Sequence, residues 1–188
     1  MCGVESRSQV SSGDAKELFF EKPAGWYEIN RNERNENLRK FEFTKEELNK
    51  LLANEKATTV IAVFHRDDIS KTAGITPTIQ VLLRPMRGSP TCDQFKTAFV
   101  RSLTASPGLK EYSILGEPET AEVSGFKSVL SNSRFILTHA SQRYTIRART
   151  YAIPRGDHFI QISMSDEDDE GWTEQDFSRF MGSVKILK

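Results

Sequence analysis

Two cysteines in 188 residues are too few for a disulfide scaffold. Cys2 sits in a polar stretch beside the N-terminus and Cys92 in a helical one, so they form no metal or redox spacing, and a bridge between them requires the tail to fold back. No apolar run approaches the roughly 18 residues that cross a bilayer, so neither a transmembrane helix nor an intact secretory signal is expected. Charge of one sign is not in excess either. Lysine plus arginine and aspartate plus glutamate number 26 each, which withholds the electrostatic footprint of a nucleic-acid partner. Also missing are a glycine-rich phosphate loop, a G-x-S-x-G turn, paired-cysteine metal spacing and H-E-x-x-H, so no activity and no cofactor can be read from a motif.

What is present is the material of a core. With 37% hydrophobic residues, 28% charged residues and 12 phenylalanines, the chain has the composition of one soluble globular domain. Residues 1–16, rich in serine and glycine, read as a flexible tether, and 17–188 as a single domain. Cysteine followed by glycine and a polar tether is also what remains of a bacterial lipoprotein when its signal is replaced by an initiator Met1. On that reading Cys2 carries lipid; on the other, Met1 is the natural start and Cys2 an exposed thiol.

The last third organises the rest. From Arg143 to Ile153 one parity holds Tyr144, Ile146, Ala148, Thr150 and Ala152, and the other Arg143, Thr145, Arg147, Arg149 and Tyr151, which predicts a two-faced strand. Pro154-Arg155-Gly156-Asp157 supplies a turn into a second alternating run, His158 to Ser165. Trp172, Phe177, Phe180, Met181 and Val184 then fall at helical spacing, with Thr173 as the start signal.

Upstream, Asn30 to Lys40 reads as a surface loop or charged helix face, and Thr44 with Glu47 as a capping box. Strands are expected at Thr58 to Phe64 and Thr78 to Leu83, and a helix from Ser89-Pro90 to Pro107-Gly108. Further strands are expected at Tyr112 to Leu115, Ala121 to Val123 and Phe126 to Ala140, the last interrupted or bulged at Asn132-Ser133. Sequential strands with helices at the start, middle and end predict an α+β fold, a central mostly antiparallel sheet flanked by helices.

Three groups of residues invite chemistry. The run Asp166, Glu167, Asp168, Asp169, Glu170 offers oxygen ligands to a cation such as calcium, or a dock for a basic partner. It lacks the glycine turn and alternating spacing of a calcium loop, and its place before a helix N-terminus favours a structural role. Arg143, Arg147 and Arg149 share a face with Tyr151, a row suited to a carboxylate, a phosphate or a partner surface, unless an acidic helix surface neutralises it. His65 follows a buried strand, but neither His139 nor His158 lies at a ligand spacing from it. Cys92 is expected to be a packed helix cysteine.

Phe20-Glu21-Lys22-Pro23-Ala24-Gly25-Trp26, Val123-Ser124-Gly125-Phe126 and the close from Gly171-Trp172 to Phe180-Met181-Gly182-Ser183-Val184 resemble the PsbP-like proteins. That superfamily takes in the extrinsic subunit of the oxygen-evolving complex, Ran-binding Mog proteins and bacterial DcrB-type lipoproteins. The resemblance implies a central antiparallel sheet flanked by helices, an α-β-α sandwich, and a protein that works by binding another macromolecule rather than by catalysis; a protein partner is expected, and neither a cofactor nor nucleic acid. It also favours a lipid on Cys2 and a place on the periplasmic face of a bacterial cell envelope. A cytoplasmic chaperone or adaptor of the same fold, and a binder of small anions or metal ions, are the alternatives.

Overall fold

A computed structural model describes residues 18–56, 58–68, 75–86, 88, 90–105, 109–168 and 173–187. Its spine is an eight-stranded antiparallel sheet of β2 (Tyr27–Glu28), β3 (Thr59–His65), β4 (Thr78–Pro85), β5 (Lys110–Ile114), β6 (Glu119–Val123), β7 (Phe126–His139), β8 (Gln142–Arg155) and β9 (His158–Glu167). The spatial order is β2-β3-β4-β9-β8-β7-β5, with β6 also on β7. A short pair, β1 (Leu18–Phe19) with β10 (Lys185–Ile186), joins the two ends of the described domain.

The expected hairpin is longer than its alternation suggested. Pro154 and Arg155 stay in the strand, Arg155 opposite His158, and the turn is Gly156-Asp157 alone, with Gly156 at the left-handed φ of 64° that a two-residue hairpin turn uses. β7 runs unbroken through Asn132-Ser133, in continuous register with β8, so the expected bulge is not there. Its polar residues interrupt the apolar pattern without interrupting the ladder.

Helices cover both faces, as an α-β-α sandwich requires. On one face lies α4 (Glu174–Ser183), whose Phe177 and Phe180 pack with Phe20, Trp26, Phe64, Ile79, Ile153, Ile160, Ile162 and Met164 in the main core. On the other lies α3 (Cys92–Thr104), whose Phe95 and Phe99 meet Phe159, Val129 and Ala152 in a smaller cluster. α1 (Arg31–Leu38) shares the α3 face, where Arg34 Nη2 donates to Gln80 Oε1 at 3.5 Å. α2 (Lys45–Lys56) begins at the expected box: Thr44 N–H donates to Glu47 Oε2 at 2.7 Å and Glu47 N–H to Thr44 Oγ1 at 3.1 Å.

Three details at the helix starts differ from expectation. α3 is capped by Thr91 and Gln94, not by Ser89-Pro90, and Ser89, like Pro107-Gly108, lies outside the described residues. Thr173 stands at the N-cap of α4 but makes no side-chain cap, because its hydroxyl donates to Asp166 instead. Cys92 opens α3 exposed rather than packed, since the apolar stripe begins at Phe95.

Candidate functional site

Helix length decides what remains open on the α4 face. α4 has 10 residues and spans about 15 Å, whereas the 14 residues of β8 span about 46 Å. The helix therefore roofs Tyr151 and Ile153 and ends its cover at Arg149. β9 stops at Glu167, opposite Ile146, so the tip of the β7–β8 hairpin projects beyond its neighbour. Arg143 and Arg147 are exposed on this open part, while Arg149 and Tyr151 are half-buried at its border with α4.

Arg143, Arg147, Arg149 and Tyr151 thus share one face, and each arginine meets an acid there. Arg143 pairs with Glu111, Arg147 with Asp168, and Arg149 Nη1 with Glu174 Oε1 at 2.6 Å. Arg134, directly opposite Arg147 on β7, lies 3.8 Å from the same Asp168. Arginine row and acidic run, distant in sequence, meet because Asp168 N–H donates to Thr145 O at 2.7 Å and carries the carboxylate across β8. Arg134, Glu111 and Glu174 are not signalled by any local pattern; only the strand register brings them in.

The acidic run divides. Asp166 is buried and accepts from Glu167 N–H at 2.8 Å and from the Thr173 N–H and hydroxyl at 3.2 and 3.0 Å. Burial raises its pKa above the ordinary 3.8 despite those three donors. Glu167 ends β9 and Asp168 serves the arginines, while Asp169, Glu170, Trp172 and Cys2 lie outside the described residues. Tyr151, beneath α4, has its phenol pKa pushed up by burial.

The histidines do not converge. His65 is buried at the end of β3, and burial with the Arg34 charge lowers its pKa to about 4, so it is neutral. His139, at the hairpin tip, meets Lys40 O at 2.8 Å, and His158 meets Asp157 at the opposite end of the sheet. Among the described residues no three His, Cys, Asp or Glu side chains are grouped as a metal ion needs. Beside Cys92, a hollow of about 30 Å³ is lined by Asp93, Lys96, Lys127 and Pro154, room for about two waters. No described helix is long and apolar enough to cross a membrane.

No family model and no curated protein matches the sequence. Solved structures do match. LpqN, involved in cell envelope biogenesis of Mycobacterium tuberculosis, superposes with a TM-score of 0.56 at 14% identity, over 91% of this chain and 83% of that one. The Ran-binding protein Mog1p of Saccharomyces cerevisiae gives 0.52 at 11% identity over 97% of both chains. The chain has the PsbP-like fold. A Bacteroides thetaiotaomicron protein also matches at 0.52 and 9% identity, over 98% of this chain and 50% of its own length. At these identities the PsbP-like likeness is one of fold, and it carries over no individual residue.

Proposed function

We propose that this PsbP-like protein is a non-enzymatic accessory protein that binds a protein partner on the open part of its α4 face. The observation that carries the reading is the short reach of α4. It leaves the distal β7–β8 ribbon uncovered, with Arg134, Arg143 and Arg147 interleaved with Glu111 and Asp168. Guanidinium groups already oriented by carboxylates suit the polar part of a protein interface. Both LpqN and Mog1p, named for envelope biogenesis and Ran binding, agree with a binding role in this fold. We place the protein at a bacterial cell envelope, held by lipid on Cys2.

A photo-crosslinking residue at position 143, in cells that make the protein, tests the surface. One discrete adduct is expected, lost on Arg147→Glu, and none from position 101 on the exposed side of α3. Adducts that are equal at both positions, or that ignore Arg147→Glu, overturn the assignment. Cys2→Ser tests the tether separately, since a lipidated protein leaves the membrane fraction when its attachment residue is replaced.

A further inference from the structure

β5 is an edge strand of the sheet, beside the open part of the α4 face, and its pairing with β7 is irregular. Lys110 lies opposite Ile136 and Ser113 opposite Arg134, so Glu111 and Tyr112 together face Phe135 alone. A bulge of this kind sets its first residue in the left-handed region, a place that glycine fills without steric strain. Here Glu111 fills it, at a φ of 53°. The other left-handed non-glycine residues among those described, Ser124, Ala140 and Ser141, stand in two-residue hairpin turns that call for the conformation. Glu111 is left-handed inside a strand.

The bulge has a structural reason and the glutamate does not. Placing Tyr112 opposite Phe135 lets the two rings stack, with centroids 6.1 Å apart, and glycine at 111 would permit the same. What the Glu111 side chain makes is an ion pair with Arg143, in which the two side chains are 65% and 62% exposed. A pair so open is screened by solvent and contributes less than the left-handed backbone costs a residue with a Cβ. A charge on an edge strand also discourages stray pairing, but exposed Lys110 and the bulge already do that.

Asp168, the other acid of this surface, differs. Its side chain is only 12% exposed, and it relieves the repulsion between Arg134 and Arg147, which stand directly opposite each other on β7 and β8. Asp168 serves the fold. Backbone strain kept at an exposed side chain that does not offset it is a mark of function.

We infer that Glu111 is a specificity-determining residue of the partner surface, held out by the bulge to meet a basic side chain of the partner protein while Arg143 beside it meets an acidic one. On the protein-binding reading above, on which this rests, the partner's surface is one of mixed charge and not a polyanion such as nucleic acid or an anionic bilayer.

Photo-crosslinking in cells that make the protein tests it, with the reactive residue at position 113, exposed on β5 opposite Arg134, so that Glu111 and Arg143 both stay in place. The parent is expected to give one protein adduct. Glu111→Gln keeps the strain and an oxygen for Arg143 and removes only the charge, and should lower the yield roughly tenfold, the order of one charged contact. Glu111→Gly should lower it as far, yet melt no lower than the parent, because relief of the left-handed strain outweighs the freedom that glycine adds to the unfolded chain.

An adduct at 143 with none at 113, or one at 113 that ignores both substitutions, overturns the role of Glu111 and leaves the partner surface standing. No adduct at either position removes the partner surface itself, and this role with it. Glu111→Gly melting below the parent overturns the role as well, since the side chain is then kept for stability. So does an adduct of twice the chain's mass, which is a second copy, or one that resists protease, which is lipid or nucleic acid.

Discussion

The Trp26 indole Nε1–H donates to Asp176 Oδ2 at 3.3 Å, closing 150 residues of chain between the first described turn and the last helix. Trp26 also sets its ring edge-on to Phe177, with centroids 6.1 Å apart, so one side chain both packs and orients α4.

Two substitutions separate those contributions. Trp26→Phe keeps an aromatic ring against Phe177 and removes the donor, with an expected cost of about 1 kcal/mol. Trp26→Ala also opens a cavity in the main core and should cost about 3–5 kcal/mol. Urea midpoints at unchanged slope measure both. Equal losses would mean that the hydrogen bond, not the ring, holds the helix.

Arg149 and Glu174 form the border where α4 stops covering β8. Glu174 is about half exposed, so solvent screening limits the pair, and Arg149 is also held by Asn132 Oδ1 at 3.4 Å. A double-mutant cycle of Arg149→Ala and Glu174→Ala should give a coupling of about 0.5 kcal/mol. A coupling indistinguishable from zero would show that this ion pair does not help to position the helix.

The sheet was legible from parity because its apolar residues report which face is covered, and Tyr144, Ile146, Ala148, Thr150 and Ala152 are buried as their alternation indicates. α1 was not legible. Its sequence, Arg-Asn-Glu-Arg-Asn-Glu-Asn-Leu, has no apolar period, and what holds its N-terminus is the Asn30–Glu33 capping box. The start of α3 was misplaced because Ser89-Pro90 imitates a cap two residues before Thr91-x-x-Gln94 supplies one. Of the charged clusters, the arginine row was visible as a periodicity, but its acids depend on which strands pair.

Asp166 gives a pH dependence opposite to that of a salt-bridged carboxylate. Burial outweighs its three donors, so the folded value lies above the unfolded one and the folded state binds the extra proton. The stability that this carboxyl contributes is full below its ordinary 3.8 and is lost as pH rises through the raised folded value. Against Asp166→Asn, which does not titrate, the advantage of the parent should therefore shrink between acid and neutral pH. Urea midpoints of both proteins through that range test it, and a constant difference would mean an unshifted carboxyl. Asp166→Ala, which strands the Thr173 and Glu167 donors, should cost about 1–3 kcal/mol at any pH in the range.

His65 acts in the other direction. It is 4% exposed, its Nδ1 is buried without a partner, and its pKa falls from 6.5 to about 4 through burial and the nearby Arg34 charge. The unfolded chain takes up a proton near 6.5 and the folded chain only near 4, so the folded state binds fewer protons in between. Stability is then full above 6.5 and is lost as pH falls through that window, by an amount that at about 1.4 kcal/mol per pH unit comes to about 3–4 kcal/mol. His65→Leu substitutes an apolar side chain that cannot be protonated, and should flatten this part of the profile while leaving the Asp166 response in place. The difference between parent and variant isolates the histidine from the carboxylates that titrate alongside it. If both lose stability in parallel between neutral pH and 4, His65 is protonated inside the fold and its surroundings are wetter than its burial implies.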